Sequence, residues 1–357
     1  MENRKKRTIL FIGSLCDGGA ERVVSILAGK MADAGKEMEI LLYYDTEIAY
    51  AVNPKVRVTC IEKETKTRNI LVNLMWMRRY LKENAQCLVS FLAVFNMLAI
   101  ISTVFLNIPV VVADRNDPRC VPSNAVIRWM RNILYRFADG VVVQTKHNQD
   151  YFPACIRKKS VIIYNPMDLG QLAGAALTCE TRKEIVAVGR LIEQKNHEML
   201  FRAFAQIHAH HPDYCLKIYG EGPLREQDQK QINSLGLDHA VKLPGNVHDI
   251  HQRIQGAELF VLCSNHEGMS NALMEAMGLG LPVISTRVSG AEDLMTHGQD
   301  GLLIPCGDTQ ALVNAMEMML TDPALRERCA RNATQINARL AADKICNAWM
   351  DYLDSVQ

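Results

Sequence analysis

The sequence predicts an α/β protein with two doubly wound domains, each a parallel sheet with helices on both faces. Short apolar runs alternate with amphipathic helical patterns along the whole chain, which is the pattern of parallel-sheet proteins. The alternation occurs twice, and the stretch from Met167 to Arg182, which carries little pattern, separates the two sets. A chain of 357 residues is long enough to bury two separate cores.

The apolar runs define the predicted strands. The first set is Thr8–Ile12, Glu39–Tyr43, Arg57–Ile61, Leu88–Leu92, Val110–Ala113, Val141–Gln144 and Val161–Ile163. The second set is Ile185–Val188, Leu216–Tyr219, Val241–Leu243, Leu259–Leu262, Pro282–Thr286 and Leu302–Ile304. We therefore expect one domain over residues 1–165 and a second over 166–340. In such domains ligands bind outside the carboxyl ends of the strands, so the loops that follow strands are the places to search for a site.

Cysteine usage and the N-terminus indicate the compartment. The 11 cysteines are scattered and include no CxxC, which argues against a disulfide framework or a zinc site and for a reducing cytosol. The basic segment Met1–Arg7 leads directly into an apolar strand and lacks a cleavable signal pattern. Cys87–Ala113 has no charged residue, yet we expect a buried strand, a short buried helix over Asn96–Leu106 and a second strand there. Asn96, Asn107 and Pro109 argue against a single membrane span.

Charge is distributed unevenly along the chain. Residues 1–164 carry 24 Lys and Arg against 15 Asp and Glu, a net charge of +9, and the remainder has a net charge of −8. Arg68–Glu83 and Val126–Phe137 are basic helical patterns rich in Trp, Leu and Ile. Such helices can lie on anionic lipid or bind an acceptor diphosphate through Arg128, Arg131 and Arg136. The alternative is a core-packed helix with a solvated arginine face.

Three loops after strands carry residues suited to binding a phosphorylated ligand. Gly18 and Gly19 follow the first strand and open a helix, so the backbone there can approach a phosphate or a sugar closely. Arg190 and Lys195 share the loop after Ile185–Val188, where two cations can clamp a diphosphate and stabilise it as a leaving group. The third loop follows Leu259–Leu262.

This third loop, Glu267–Glu275, gives the strongest signal. Ser270 or Asn271 is expected to cap a helix that carries Glu275 in its early turns. The backbone amides of Asn271, Ala272 and Leu273 then form an anion site at the start of that helix. Glu267 precedes the helix, so a carboxylate flanks the phosphate site on each side, as two sets of hydroxyl groups would require.

Several segments together resemble glycosyltransferase family 4, whose members are retaining enzymes of the two-domain GT-B fold. In the second half these are GRLIEQKN, YGEGPL (Tyr219–Leu224), LPGNVHDI (Leu243–Ile250), EGMSNALMEAMGLGLPVISTRVSGAEDL (Glu267–Leu294) and GLLIPCGD (Gly301–Asp308). In the first half they are GGAERV (Gly18–Val23), SFLAVFN (Ser90–Asn96) and DRNDP (Asp114–Pro118), which look like the members that build lipid-linked oligosaccharides, capsule, O-antigen or lipopolysaccharide core. The resemblance implies two Rossmann-like domains facing across a cleft, the first binding the acceptor and the second a UDP-sugar. It also implies that residues 341–357 form a closing helix that crosses back toward the first domain.

The resemblance implies a role for each site residue. Arg190 and Lys195 would bind the donor diphosphate, Glu275 the ribose hydroxyls and Glu267 the donor sugar. Backbone around Asn246 and Val247 would contact the uracil, and Gly18 and Gly19 would approach the phosphate from the first domain. Many family members place a histidine where this chain has Asp114–Asp117, so Arg115 or Asn116 stands at that donor-sugar position.

The chemistry fits without a metal or another cofactor. The sequence contains no Asp-x-Asp, so Arg190, Lys195 and helix N-termini are expected to neutralise the departing diphosphate. Retention without a protein nucleophile implies attack on the face from which the leaving group departs, with a donor phosphate oxygen taking the acceptor proton. We expect transfer of a hexose or an N-acetylhexosamine to a lipid-linked or polysaccharide acceptor. The expected place is the cytoplasmic face of an anionic membrane, and nucleic acid is not an expected partner.

Two alternatives belong to other classes. A dinucleotide-dependent oxidoreductase is favoured by Gly220-Glu-Gly222 after a strand, but Pro223 follows at once and no third glycine completes the motif. A catalytically silent sugar-nucleotide-binding protein is the other alternative. The presence of Arg190, Lys195, Glu267 and Glu275 together argues against it.

Overall fold

The computed structural model describes residues 6–16, 18–168 and 181–356. Within it the chain forms two compact units. One unit contains Met1–Pro166 and Leu340–Gln357, and the other contains Met167–Arg339. The C-terminal helix therefore belongs to the unit that the first half of the chain builds.

The first unit has a seven-stranded parallel sheet in the order β3-β2-β1-β4-β5-β6-β7. Its strands are β1 (Arg7–Ile12), β2 (Met38–Leu42), β3 (Arg57–Cys60), β4 (Ala85–Phe91), β5 (Val110–Ala113), β6 (Gly140–Val143) and β7 (Ser160–Ile162). Its helices are α1 (Gly19–Asp33), α2 (Ile61–Thr65), α3 (Ile70–Asn84), α4 (Ala93–Thr103), α5 (Ala125–Leu134), α6 (Lys146–Tyr151) and α7 (Ala154–Arg157). Alternate strand residues such as Ile9 and Phe11 pack with Leu81 and Leu98 of the helices in one apolar core.

The second unit has a six-stranded parallel sheet in the order β10-β9-β8-β11-β12-β13. Its strands are β8 (Arg182–Val188), β9 (Cys215–Tyr219), β10 (Val241–Gly245), β11 (Ala257–Leu262), β12 (Val283–Thr286) and β13 (Leu302–Ile304). Its helices are α8 (His197–His210), α9 (Arg225–Ser234), α10 (Ile250–Ile254), α11 (Asn271–Gly278), α12 (Ser289–Leu294), α13 (Thr309–Thr321), α14 (Pro323–Ala333) and α15 (Ile336–Leu340). The prediction of two parallel-sheet α/β domains is confirmed, with each predicted strand matched by an observed one.

The C-terminal helix α16 (Ala342–Val356) is fixed to the first unit by two of its own side chains, Trp349 and Tyr352. The hydroxyl of Tyr352 accepts a hydrogen bond from the amide of Val141 at 3.0 Å and donates one to the carbonyl of Lys159 at 2.7 Å. A side chain at Gly140 would collide with that hydroxyl. Trp349 is buried, and its ring lies 5.9 Å from that of Phe91.

The uncharged stretch Cys87–Ala113 folds as β4, α4 and β5, as predicted. The helix begins at Ala93, three residues before the predicted start, after Leu92 takes a positive φ of 73°. In the described part of the chain, no helix has both the length and the apolar character needed to cross a bilayer.

The face of α5 that meets solvent differs from the prediction. Arg131 is fully buried, and its guanidinium donates to the carbonyls of Val121 at 2.8 Å and Pro118 at 2.9 Å. Trp129 is 64% exposed instead. The expectation of an outward-facing arginine is therefore wrong for Arg131. Its planar donor fork satisfies loop carbonyls that have no ladder partner, which outweighs the cost of burying the charge.

Candidate functional site

The reversal of strand order in the second sheet lies between β8 and β11. In doubly wound sheets the loops at the carboxyl ends of two such strands diverge and leave a crevice for a ligand. The loop after β8 carries Arg190 and Lys195, and the loop after β11 carries Glu267. The topology therefore brings these predicted site residues to one edge of the second unit.

Lys195 and Glu267 form an ion pair at this edge. Nζ of Lys195 lies 2.5 Å from Oε1 of Glu267, and the side chains are 15% and 10% exposed. The hydroxyl of Ser264 donates to the same oxygen at 3.0 Å. Arg190 is exposed on the same loop. The site thus combines one cation that a carboxylate compensates with a second that faces solvent.

Side-chain amides join the two loops. Nε2 of Gln194 donates to the carbonyl of His266 at 2.8 Å, and the backbone N–H of Asn265 donates to the carbonyl of Gln194 at 2.8 Å. Nδ2 of Asn196 donates to Oδ1 of Asn265 at 2.9 Å. Asn196 takes a left-handed conformation and its side chain also caps α8. These bonds hold the ion-paired side chains in place because each loop supplies the other's polar partners.

The turn into α11 brings backbone close to the site. Ser270 caps the helix by accepting from the amide of Leu273 at 3.4 Å, so Asn271, Ala272 and Leu273 form its first turn as predicted. The hydroxyl of Ser289 donates to the carbonyl of Glu267 at 2.7 Å. At Gly290 a side chain would collide with the carbonyl of Gly268. Glu267 lies three residues before the N-cap Ser270, on the side of the helix's positive dipole end.

Glu275 is buried in α11 and pairs with His251, which the sequence analysis did not single out. Nε2 of His251 lies 3.0 Å from Oε2 of Glu275. His251 is in α10, one residue beyond the segment Leu243–Ile250 on which the family resemblance rests. Only the packing of α10 against α11 shows that the two side chains meet. Asn246 is exposed and Val247 is half-buried in the loop between β10 and α10.

The predicted residues of the first unit lie at the carboxyl ends of its strands. Gly18 is the N-cap of α1 and Gly19 its first residue. A side chain at Gly18 would collide with the carboxylate of Glu21, which occupies the space beside the helix start. Arg115 follows β5 and is buried, whereas Asn116 is half-buried and its carbonyl accepts from Nδ2 of Asn148 at 3.1 Å.

Among the described residues there is no group of three or more His, Cys, Asp and Glu side chains placed to hold a metal ion. The polar groups of the second unit's edge are instead cations, amides and two carboxylates. This set can bind an anion and hydroxyl groups.

The sequence and the fold have known relatives. Residues 175–336 match the family described as glycosyl transferases group 1. Relatives of this chain include several glycosyltransferases. Arg190, Lys195, Asn246, Glu267 and Glu275 all fall within the matched segment, and the candidate residues of the first unit fall outside it.

Two similar proteins of Campylobacter jejuni align over almost their full length. One is a GalNAc-alpha-(1->4)-GalNAc-alpha-(1->3)-diNAcBac-PP-undecaprenol alpha-1,4-N-acetyl-D-galactosaminyltransferase, 26% identical over 97% of this chain and 98% of its own. The other is an N-acetylgalactosamine-N,N'-diacetylbacillosaminyl-diphospho-undecaprenol 4-alpha-N-acetylgalactosaminyltransferase, 28% identical over 94% of this chain and 95% of its own. A lipopolysaccharide core biosynthesis glycosyltransferase of Rhizobium meliloti is 32% identical over 48% of this chain and 49% of its own.

Solved structures share the fold across the whole chain. HepE of Anabaena in complex with UDP-glucose superposes with a TM-score of 0.82 at 21% identity, covering 98% of this chain and 100% of that one. Sucrose-phosphate synthase of Thermosynechococcus elongatus gives a TM-score of 0.85 at 18% identity, covering 99% of each. The fold is that of GT-B glycosyltransferases. Together the family match and the relatives support a glycosyltransferase of this type.

Proposed function

We propose that this protein is a retaining glycosyltransferase of family 4. In this proposal it transfers a hexose or an N-acetylhexosamine from a UDP-sugar to a lipid-linked or polysaccharide acceptor in the synthesis of cell-surface glycans. The reaction needs no metal ion and no further cofactor.

The observation that carries the proposal is the pairing of Lys195 with Glu267 beside the N-terminus of α11. A departing diphosphate needs positive charge, and Lys195, the exposed Arg190 and the helix dipole supply it at one edge. Glu267 compensates Lys195 before the donor binds and is then placed to accept from a sugar hydroxyl. The stability of the second unit does not require two cations and a helix N-terminus at the same edge of its sheet.

The nucleotide is assigned to the same unit. Glu275, held by His251, is proposed to accept from the ribose hydroxyls, and the backbone at Asn246 and Val247 to contact the uracil. Gly18, Gly19 and either Arg115 or Asn116 are proposed to complete the donor site from the first unit. The solved structures of HepE with UDP and with UDP-glucose, which have the same fold, agree with a UDP-sugar donor.

The proposed reaction proceeds on one face of the sugar. The bond from the anomeric carbon to the diphosphate oxygen breaks, and the acceptor oxygen forms its bond on the same face. The acceptor proton passes to an oxygen of the departing diphosphate, and UDP leaves. Arg190 and Lys195 stabilise the negative charge that develops on the diphosphate. Glu267 orients the sugar and forms no covalent bond to it.

A lipid-linked acceptor implies work at a membrane surface, which we place at its cytoplasmic face. Helix α4 packs between α3 and α5 in the first unit, and large apolar side chains are exposed on all three and the adjoining loops. They are Ile70, Leu71, Val72, Met75, Val94, Ile101, Val104, Phe105, Val126, Trp129, Met130 and Phe137. We call this set the apolar face. Arg68, Arg79 and Arg136, on or next to these helices, are also exposed and suit an anionic lipid surface.

A donor screen tests the function. UDP release is measured with several UDP-sugars and an extract of polyprenyl-diphosphate-linked or lipopolysaccharide acceptors. We expect one UDP-sugar to give acceptor-dependent UDP release. UDP binding without release from any donor would favour the silent sugar-nucleotide-binding protein and would overturn the proposal.

A further inference from the structure

The carboxyl end of the first sheet contains a buried arginine whose hydrogen bonds are incomplete. Arg115 follows β5 and is 6% exposed. Its guanidinium carbon lies 5.3 Å from the ring centroid of Phe91 and 5.5 Å from that of Trp349. The guanidinium is therefore held by two aromatic rings, one at the end of β4 and one on the C-terminal helix α16.

A single hydrogen bond fixes this guanidinium within its plane. Nη1 of Arg115 donates to Oδ1 of Asn165 at 3.1 Å, and the same oxygen accepts from Nε2 of Gln144 at 2.6 Å. Nε and Nη2 of Arg115 are buried and make no hydrogen bond. These two atoms form one edge of the guanidinium, and their parallel N–H groups match two oxygens of a phosphate or a carboxylate.

The neighbouring carboxylate does not complete the site. Asp114 is engaged elsewhere, since its Oδ2 accepts from the hydroxyl of Tyr135 at 3.3 Å and lies 3.7 Å from Nη1 of Arg131. Burial lowers the pKa of Arg115 to about 9, and the negative charge of Asp114 opposes this shift. A cation that is desolvated, clamped and left with an open donor edge is destabilising unless an anion binds there.

The buried Arg131 can be compared directly with Arg115. It lies in the same unit and is likewise fully buried, but Nε, Nη1 and Nη2 all have acceptors, in Asn132, Val121 and Pro118. Arg131 thus stabilises the loop between β5 and α5, in which Arg115 lies. Arg131 also lies 3.7 Å from the carboxylate of Asp114, whereas Nε and Nη2 of Arg115 have no acceptor among the described residues.

We infer that the Nε–Nη2 edge of Arg115 binds a phosphate group of one of the two substrates. This inference rests on the proposed function, in which both the nucleotide donor and a lipid-linked acceptor carry a diphosphate. It goes beyond the donor-sugar contact, because an edge with two parallel donors suits two phosphate oxygens better than one hydroxyl. The second unit already supplies two cations to the donor, and the first half of the chain carries the positive net charge.

Stability separates a binding role from a structural one. Arg115→Met keeps the side chain's length and removes the unpaired donors, so its melting temperature should equal or exceed that of the wild type. Arg131→Met, the matched control, should melt about 5 °C lower or more because it leaves buried carbonyls without donors. A fall for Arg115→Met as large as that for Arg131→Met would show a structural role and overturn the inference.

Kinetics then identify the phosphate. If it belongs to the acceptor, Arg115→Met raises the acceptor KM about 10- to 100-fold and leaves the Kd of UDP unchanged. If it belongs to the donor, the Kd of UDP rises by a similar factor. Arg115→Lys keeps the charge but loses the paired donors, so it should recover only part of either effect. An unchanged acceptor KM together with an unchanged Kd of UDP would overturn the inference.

A binding measurement separates this inference from the proposed function. Calorimetry with inorganic diphosphate is carried out on the double variant Arg190→Ala, Lys195→Ala, which lacks the two cations of the β8 loop. We expect residual binding that the further change Arg115→Met abolishes. Binding that survives this change, or no binding in the double variant, would contradict a phosphate site at Arg115. The result does not depend on finding a donor that supports transfer.

Discussion

Nζ of Lys195 lies 2.5 Å from Oε1 of Glu267, although 72 residues separate the two along the chain. The contact joins the loops on either side of the strand-order reversal in the second sheet. In the proposed reaction a donor diphosphate must share Lys195 with this carboxylate. Glu267 therefore affects the donor in two ways, by holding Lys195 and by meeting the sugar.

The two glutamates should differ in their effect on UDP. Glu275→Ala removes the proposed ribose contact, which UDP and the donor share, so we expect the affinity for UDP to fall about 10- to 100-fold. Glu267→Ala should leave the affinity for UDP nearly unchanged and damage transfer, because it removes a sugar contact and leaves Lys195 available to the diphosphate. Calorimetry with UDP measures both, with the exposed Glu198→Ala as control. Equal losses in the two variants would mean that the roles are assigned wrongly.

The cations of the β8 loop should matter more for turnover than for folding. Arg190→Ala and Lys195→Ala each remove a group that stabilises the departing diphosphate, so turnover should fall about 10²- to 10³-fold. Stability should fall far less than turnover, since neither side chain is part of an apolar core. Arg202→Ala is the control, because Arg202 is an exposed arginine of α8 that pairs with the exposed Glu198. Near-normal turnover in both site variants would refute the leaving-group role.

Transfer should continue in EDTA. The prediction rests on the absence of Asp-x-Asp from the sequence and on the cations placed beside α11. UDP release is compared with and without the chelator, before and after addition of Mn²⁺ or Mg²⁺. Complete loss in EDTA that either ion restores would contradict a metal-independent mechanism.

The protein should bind anionic vesicles through the apolar face of its first unit. Each basic residue near an anionic surface contributes about 1 kcal/mol, and exposed aromatic rings add burial at the interface. Co-sedimentation with vesicles should be strong at low salt and weaker at high salt. Replacing Trp129 and Phe137 with Ser should reduce it sharply, whereas Met318→Ser, an exposed apolar residue of the second unit, should not.

The arginines of α5 make unequal contributions to this test. Arg136 is exposed, but Nη1 of Arg128 donates to the carbonyls of Pro122 and Ser123, and Arg131 is in the core. Only Arg136→Gln among the three therefore tests charge at the membrane without disturbing the fold. No binding at low salt would show that the apolar face does not meet lipid.

Local pattern is sufficient for the strands and for the loops that carry the site. Runs such as Val110–Ala113 and Leu302–Ile304 have the predicted bounds because a fully buried parallel strand must be apolar on both faces. The start of the helix after Glu267 can also be predicted from local sequence. Ser270 is a residue type that favours the N-cap position, and it caps this helix in the structure. From such local facts the parallel topology and the edge that carries the site both follow.

Contacts between distant segments were decided by the tertiary structure alone. The amphipathic pattern of Val126–Phe137 is compatible with either face turned outward, and the loop carbonyls of Pro118 and Val121 decide that Arg131 is inside and Trp129 outside. The pairing of His251 with Glu275 depends on how α10 packs against α11. The packing of the Arg115 guanidinium against an aromatic ring depends on Trp349, more than 200 residues away. Periodicity shows which residues share a face of one helix or strand. The partner of a buried charge is set by the segment that packs against it, and no single stretch of the sequence contains that information.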